Sequence, residues 1–563
     1  MSDAPSPPPP SSPVPPAASD TARVLEDPSS PHSRSPSASK PASTWAPLVE
    51  SRGFRMIWGI TLVANICMWM NDVAAAWMMT SLTTSPVLVA LVQTASTLPV
   101  FLLGLPSGAL ADILDRRRYV IATQCMVTVV AILLCVTVSM GWMTAPLLLA
   151  LTFANGIGTA MRWPVFSALL PEMVTKAHLP AAMALNGVAM NASRIVGPLV
   201  AGAIIASLGS AWVFVLNAVL SILSVIVLVR WKRQPAANPL GRERLPSAMR
   251  VGLQFIKESP RMRSVIARTV AFFFMSTAIM ALLPLTAQRF DGHGVGGAGT
   301  FTILLASMGT GAIIGAMLLP RIRQAFPNEK LVVVGTGVMA LTTVGVALAP
   351  HVLLAIACMM VAGTSLICTA NTLGVKAQMA LPNWVRARGM AAYQMSIMGG
   401  TAIGAALWGK VASLTSVPVS LICAAITGVV SMLLVLRFVV DRQVLEDLSP
   451  SKALKPPTHH QPESGRVIVQ IEYRINPAKA KRFMTLMQES RRSRLRQGAV
   501  GWSLLHSMEQ PERYVEQIID ESWTEHLRRF ERVTAADISL RELKLAFHVA
   551  DQPPLVRRYF ETN

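Results

Sequence analysis

The sequence is poor in charged residues and above all in carboxylates. Only 14% of its 563 residues are charged, and 52% are hydrophobic. Eight of the 30 Asp and Glu residues lie between Met56 and Phe438. A water-soluble segment of that length needs many more charged residues at its surface. The middle of the chain is therefore expected to lie in a lipid bilayer, and a soluble core is excluded there.

The sequence also lacks cysteine motifs and a secretory signal. Its six cysteines lie in apolar runs without CxxC or Cys/His spacing, so a disulfide framework, a metal site and a cofactor are not expected. The first ten residues offer neither the basic start nor the apolar stretch of a signal peptide. Residues 1–47 hold 13 prolines and 12 serines, which predicts a disordered cytoplasmic arm.

Long apolar runs are abundant. Residues 48–440 contain twelve runs of about 20 residues, the length that crosses roughly 30 Å of hydrocarbon as a helix. The predicted spans are 56–80, 87–110, 119–140, 145–168, 183–207, 211–230, 264–288, 300–319, 330–349, 351–375, 389–411 and 417–438. We therefore predict an all-α polytopic membrane protein.

Basic residues cluster in every second loop. Arg116, Arg117 and Arg118 follow the second span, and the long loop 231–263 holds eight Lys or Arg residues, whereas the alternate loops have almost none apart from Arg289. The positive-inside rule then predicts a protein of the cell inner membrane with both termini on the cytoplasmic side. This pattern explains the net charge of +20 without a nucleic-acid partner.

The two sets of six spans resemble copies of one unit. Gly108 and Gly315 are 207 residues apart, as are Gly197 and Gly404, and Gly202 and Gly409. The repeat predicts two pseudo-symmetric six-helix bundles, 56–230 and 264–438, joined by the cytoplasmic loop 231–263.

The end of the chain has a different texture. After a linker at 441–464, residues 465–563 alternate charged and apolar residues. Their order of strand, helix, two strands, helix and strand predicts a small cytoplasmic α+β domain of the ferredoxin-like type.

The stretch from Gly108 to Arg118 and the preceding 82–86 resemble the major facilitator superfamily, in the enterobactin-exporter-like branch of transmembrane secretion effectors. The resemblance implies a twelve-helix fold and a cytoplasmic gate of Gly108, Asp112, Arg116 and Arg117. In this gate, Asp112 accepts from a facing helix N-terminus and the arginines pair with acids across the interface. Two positions, 113 and 115, depart from the family pattern, and simple topological anchoring is the alternative for the arginines.

Two further features of the spans suggest transport. Gly197, Pro198 and Gly202 resemble an exporter signature, with ordinary helix packing as the alternative. Asp72 is the only acid in the middle of a span, and its height along its helix predicts an ion pair with Arg194. This pair would couple protonation to transport, or else would be a static structural pair.

The C-terminal domain resembles antibiotic-biosynthesis-monooxygenase-like dimeric α+β barrels through Trp523, His526 and residues 531–534. The resemblance implies a pocket with Trp502, His506, Trp523 and His526, and makes a homodimer through this domain possible. The alternative is a non-catalytic dimerisation or ligand-sensing module.

Together these features predict a proton-coupled exporter, not an enzyme, for a small amphipathic substrate such as a siderophore or drug. A membrane-anchored monooxygenase-like enzyme or sensor is the second hypothesis.

Overall fold

The computed structural model describes residues 45–113, 115–175, 178–230, 245–290, 296–382, 384–438, 447–451, 453 and 465–561. The predicted arm 1–47 and linker 441–464 lie largely outside these residues. The first half comprises α1 (Ala46–Glu50), α2 (Arg52–Leu82), α3 (Pro86–Ile113), α4 (Arg116–Ser139), α5 (Ala145–Met173), α6 (Leu179–Leu208) and α7 (Ser210–Arg230). The second half comprises α8 (Leu245–Glu258), α9 (Pro260–Gln288), α10 (Gly296–Ala325), α11 (Asn328–Leu348), α12 (Val352–Met379), α13 (Arg386–Leu414) and α14 (Val417–Phe438).

Twelve of these helices are long and match the predicted spans in order. Within the described residues, eleven helices are long and apolar enough to cross a membrane. The twelfth is α5, which has 29 residues and carries Asn155, Thr159 and Arg162 along its length. Large apolar side chains such as Val129 and Val136 on α4 stay exposed, as a lipid-facing surface requires. The predicted twelve-helix membrane fold is confirmed.

The glycines of the sequence repeat occupy equivalent places in the two halves. Gly197 on α6 lies against α2, where an added Cβ would come within 3.0 Å of the Ile66 carbonyl oxygen. Gly404 on α13 lies against α9 in the same way, 2.5 Å from the Phe274 carbonyl oxygen. In each half, a glycine therefore lets the fifth long helix approach the backbone of the first.

The next pair of repeat glycines joins the two halves to each other. Gly202 packs on Thr302 of α10, whose hydroxyl donates to the Gly202 carbonyl at 2.9 Å. Gly409 packs on Ala90 of α3. The two halves thus meet through α6 with α10 and through α3 with α13, which is the pseudo-symmetric arrangement that the repeat predicts.

The soluble domain has the predicted order of elements. It comprises β1 (Val467–Arg474), a 3-10 turn (Pro477–Lys479), α15 (Ala480–Arg496), β2 (Gly501–His506), β3 (Arg513–Asp520), α16 (Trp523–Glu531), α17 (Ala535–Leu545) and β4 (Leu555–Phe560). The antiparallel sheet has the order β2-β3-β1-β4, so the ferredoxin-like prediction is confirmed. Side chains alternate along β3, which points Glu516 and Asp520 into the interior.

The amphipathic helix α8 lies where the sequence predicted only a loop. It connects the bundle to the soluble domain, since Gln254 donates to the Ala499 carbonyl at 2.8 Å and Arg250 pairs with Glu521 at 2.7 Å. A second contact stacks the Arg532 guanidinium over the Trp384 ring at 5.3 Å. The soluble domain is therefore docked on the bundle, beside the loop that precedes α13.

Candidate functional site

Asp72 lies within α2, on the side that faces α3. Its Oδ1 atom is buried and has no hydrogen-bond partner, and the neighbouring Ser96 hydroxyl of α3 donates to the Gln93 carbonyl at 3.2 Å. A carboxylate among apolar helices is costly when its oxygens are not satisfied. Asp72 is thus a group whose charge is only weakly compensated.

Arg194 on α6 lies between the two halves. Its guanidinium carbon is 5.3 Å from the centre of the Trp69 ring of α2, a cation–π contact. The Tyr393 phenol of α13 approaches from the other half and donates to the Ala370 carbonyl at 3.2 Å. Pro198 has no N–H for the carbonyl of Arg194, which loosens the helix at this position.

The predicted ion pair between Asp72 and Arg194 is not formed: the ion pairs of the described residues do not include it. The guanidinium lies instead over Trp69, three residues or about 4.5 Å along α2 from Asp72. Asp72 turns toward Ser96 of α3. The positions of the two residues along their helices predict similar depths in the membrane. Their side chains, however, point in different directions.

The predicted cytoplasmic gate is described only in part. Gly108 and Asp112 lie in α3 and Arg116 begins α4, but the structure does not describe the contacts of these three residues. Arg117 donates to the Val229 carbonyl at 2.8 Å, within its own half, whereas an acid across the interface was expected. Arg117 lies in the first turn of α4 and reaches the last turn of α7, where carbonyls lack intrahelical partners.

Position 115 departs from the family pattern for a local reason. The Asp115 carboxylate accepts from the backbone N–H of Arg118 at 2.9 Å and so caps the start of α4.

The sequence did not predict two further charged groups, one buried and one partly exposed. Arg162 of α5 is 3% exposed and donates to the Gln124 side chain at 3.2 Å. Glu329 joins three helices by pairing with Arg268 at 3.3 Å and with Lys376 at 3.0 Å. The signal for Arg162 was present in the sequence, because it is a cation inside a predicted span.

Glu516 is the centre of a charged network inside the soluble domain. It accepts from Trp502 Nε1 at 3.1 Å, from the Ser490 hydroxyl at 2.8 Å and from Lys544 at 3.1 Å. Burial would raise the pKa of Glu516, but the charges of Lys544 and Arg494 and these hydrogen bonds outweigh it and hold the pKa well below its usual range. Glu516 is therefore ionised in the folded domain.

Asp520 forms a second buried cluster. Its carboxylate contacts His526 Nδ1 at 2.7 Å and Arg529 at 3.2 Å. Burial lowers the pKa of His526, although the bond to Asp520 opposes this effect, so the imidazole is neutral at pH 7. Its Nε2 atom is buried without a hydrogen-bond partner.

The four predicted pocket residues of this domain do not share one set of contacts. Trp523 and His526 are neighbours, with ring centres 5.3 Å apart. Trp502 belongs to the Glu516 network. His506 lies at the exposed end of β2 and stacks on Tyr514 at 4.3 Å.

Comparison with known protein families accounts for this arrangement of helices and soluble domain. The profile of the transmembrane secretion effectors, a family of the major facilitator superfamily, matches residues 42–563. The chain belongs to this family. The match includes the soluble domain, so that domain is part of the secretion effector and not an unrelated extension.

Curated relatives of this secretion effector include named transporters. It is 23% identical over 257 residues to the staphyloferrin A transporter of Staphylococcus aureus, covering 45% of this chain and 63% of that protein. It is 24% identical over 276 residues to macrolide efflux protein A of Streptococcus pyogenes, covering 47% and 65%. It is 23% identical over 286 residues to the enterobactin exporter of Salmonella typhimurium, covering 50% and 67%. The chain thus spans between about three fifths and two thirds of these relatives.

Solved structures place the secretion effector in the same fold. The nucleoside transporter NupG superposes with a TM-score of 0.56 at 12% identity, covering 69% of this chain and 98% of that protein. A bacterial homologue of the lysosomal transporter Spinster superposes at 0.54 with 14% identity, covering 69% and 95%. At these identities the likeness establishes the fold alone.

Proposed function

We propose that this secretion effector is a secondary active exporter of a small amphipathic molecule, siderophore-like or drug-like, driven by proton antiport. The observation that carries the proposal is the pair of weakly compensated charges on apolar helices, Asp72 inside the first half and Arg194 close to Tyr393 of the second half. Charged groups in such positions are typical of substrate and proton pathways. The presence of a siderophore transporter, a siderophore exporter and a macrolide efflux protein among its relatives supports export.

Alternating access would proceed by rocking of the two halves. Their contacts at the end remote from the soluble domain include the Gly202–Thr302 hydrogen bond and the stacked rings of Trp77 and Phe301, 5.1 Å apart. These contacts must break for that end to open. Protonation of Asp72 would remove its charge and so bias the equilibrium between the two states, while Asp112 would hold the opposite end closed.

The proposed orientation in the inner membrane has both termini on the cytoplasmic side. A reporter that is active only outside the cytoplasm should be active when fused after Ser85 or Gly209. It should be inactive after Arg118 or Glu243. The opposite pattern at both pairs of sites would refute the orientation.

Export is tested in two steps. Metabolite comparison between a deletion strain and its parent should identify a compound that accumulates in the deleted cells. Uptake of this compound into inverted vesicles should then depend on an imposed pH gradient and collapse with a protonophore. Gradient-independent uptake would refute proton coupling, and the absence of uptake would refute export of that compound.

For the soluble domain we propose a docked, non-catalytic module. Its polar interior is occupied by hydrogen-bonded ion pairs around Glu516 and Asp520, and its surface is held on α8 by Gln254 and Arg250. The purified protein should not consume oxygen with quinols or polyketides. Turnover that depends on His526 would favour the monooxygenase-like hypothesis, and cross-linking of two soluble domains would test dimerisation.

A further inference from the structure

Arg162 is a buried cation that the proposed transport pathway does not use. Its side chain lies in α5, and the residue is 3% exposed. Among the described residues its hydrogen-bond partner is the neutral Gln124 side chain, at 3.2 Å, and no carboxylate pairs with it. A guanidinium inside a helical membrane bundle is expensive unless an opposite charge lies close to it. The described protein groups do not supply that charge.

A small polar cavity lies beside Arg162, inside the first half and between α2, α4, α5 and α7. It has room for roughly one water molecule. The polar residues of its lining are neutral, apart from Arg162 itself: Gln124, Asn155, Thr159, Asn217, Ser221 and Ser224. The amide N–H groups of Gln124 and Asn155 donate no hydrogen bond to the described residues. The cavity therefore offers one positive charge and unused neutral donors.

The nearest acid of α2 does not neutralise this cavity. Asp72 is five residues, or about 7.5 Å, farther along the helix than Cys67, which lines the cavity. Its carboxyl faces Ser96 of α3. Between the positions of Cys67 and Asp72 along α2, the Asn217 amide donates a hydrogen bond to the Asn71 side chain at 3.2 Å, and both groups are neutral.

We propose that this cavity binds a small monovalent anion of the size of chloride. Arg162 supplies the charge, and the Gln124 and Asn155 amides supply neutral donors. The small volume excludes a siderophore or a macrolide. The site lies within the first half of the bundle and its lining includes neither Asp72 nor Arg194, so it does not depend on the proposed export.

The test uses the full-length protein in lipid nanodiscs without transport substrate. Chloride replaces gluconate at constant ionic strength while the unfolding midpoint Tm is measured. We expect a saturable rise in Tm on the order of 2 °C with chloride and with bromide. A Tm that is the same in chloride and gluconate would overturn the proposal.

Two variants locate the effect. Gln124→Glu places a carboxylate beside Arg162, so it should fold well and lose the response to chloride. Arg162→Gln should lose the response as well, whereas the control Arg289→Gln, whose guanidinium contacts the Ala347 carbonyl elsewhere, should keep it. A chloride response that survives in Gln124→Glu would assign the anion to another site and refute the proposal. Bromide in crystals should give anomalous density next to Arg162, and its absence at saturating bromide would refute the proposal too.

Discussion

The soluble domain and the first half of the membrane bundle treat buried charge in opposite ways, whereas in the second half buried Arg268 is paired with Glu329. In the soluble domain, Glu516 is fully buried and contacts Lys544, and Asp520 is 1% exposed and contacts His526 and Arg529. Glu516 and Asp520 each have a cationic partner on a neighbouring helix, and buried Glu525 pairs with Arg528 and Arg532 at the end of its own helix. These charges hold helices onto the sheet, so their role is structural.

In the bundle, Asp72, Arg162 and Arg194 have no partner of opposite charge among the described residues. Asp72 lies near Ser96, Arg162 donates a hydrogen bond to Gln124, and Arg194 makes a cation–π contact with the Trp69 ring. A folded protein keeps such incompletely compensated charges where they act on something that is not part of the chain. The comparison thus separates charges that stabilise the soluble domain from charges for which we propose binding or coupling.

The largest stability effect is expected for Glu516→Gln. This change leaves Lys544 and Arg494 without their anion, and breaking a buried pair typically costs roughly 3–5 kcal/mol. Hydrogen exchange of β3 in the full-length protein measures the loss. The matched control is Glu472→Gln, whose pair with Arg513 is partly exposed and should contribute less than about 1 kcal/mol. Equal effects of both variants would contradict the structural role of Glu516.

The reverse result is expected for Asp72→Asn. Because no cation is stranded, the free energy of unfolding should change by less than about 1 kcal/mol. Transport driven by a pH gradient should nevertheless fall at least about tenfold, equivalent to roughly 1.4 kcal/mol. Vesicle uptake and Tm of the same preparation measure both quantities. A loss of stability as large as that of Glu516→Gln would mean that Asp72 is also a structural charge.

Acidification should destabilise the soluble domain in two steps. The pKa of His526 is lowered by burial, so below its unfolded value of about 6.5 the unfolded state binds the additional proton and stability falls as the pH falls. The pKa of Glu516 is also low, so its contribution is complete above the unfolded value of about 4.3 and is lost at more acidic pH. Hydrogen exchange at pH 7.5, 6 and 5 follows the first step. His526→Asn retains a hydrogen-bond donor for Asp520 and should remove the loss of stability between pH 7.5 and 5. If the variant loses stability over this range as the unmodified protein does, the assignment to His526 is refuted.

The sequence predicted the helices, the repeat and the strand order because each depends on a local pattern. The glycines at 197, 202, 404 and 409 specify close helix approach directly. In contrast, the position of Asp72 along α2 indicates its depth but not the direction of its side chain, so the predicted pair with Arg194 was wrong. Arg162 was missed because only carboxylates were counted within the spans. Helix α8 was missed because only the basic residues of the loop 231–263 were considered, and not the helical spacing of its apolar residues.

The smallest effect is expected at the joint between the two regions. Arg250 and Glu521 approach to 2.7 Å, but their side chains are 32% and 48% exposed, so water and salt screen their attraction. A double-mutant cycle with Arg250→Gln and Glu521→Gln should give a coupling energy of about 0.2–1 kcal/mol, and this energy should decrease in 0.5 M salt. The rate of protease cleavage in residues 441–464, which precede the soluble domain, measures it. Gln254→Ala is the control, because its neutral hydrogen bond to Ala499 should show no salt dependence. A coupling energy above about 2 kcal/mol would place this pair with the buried charges of Glu516 and Asp520, and the joint would then be as rigid as the interior of the domain.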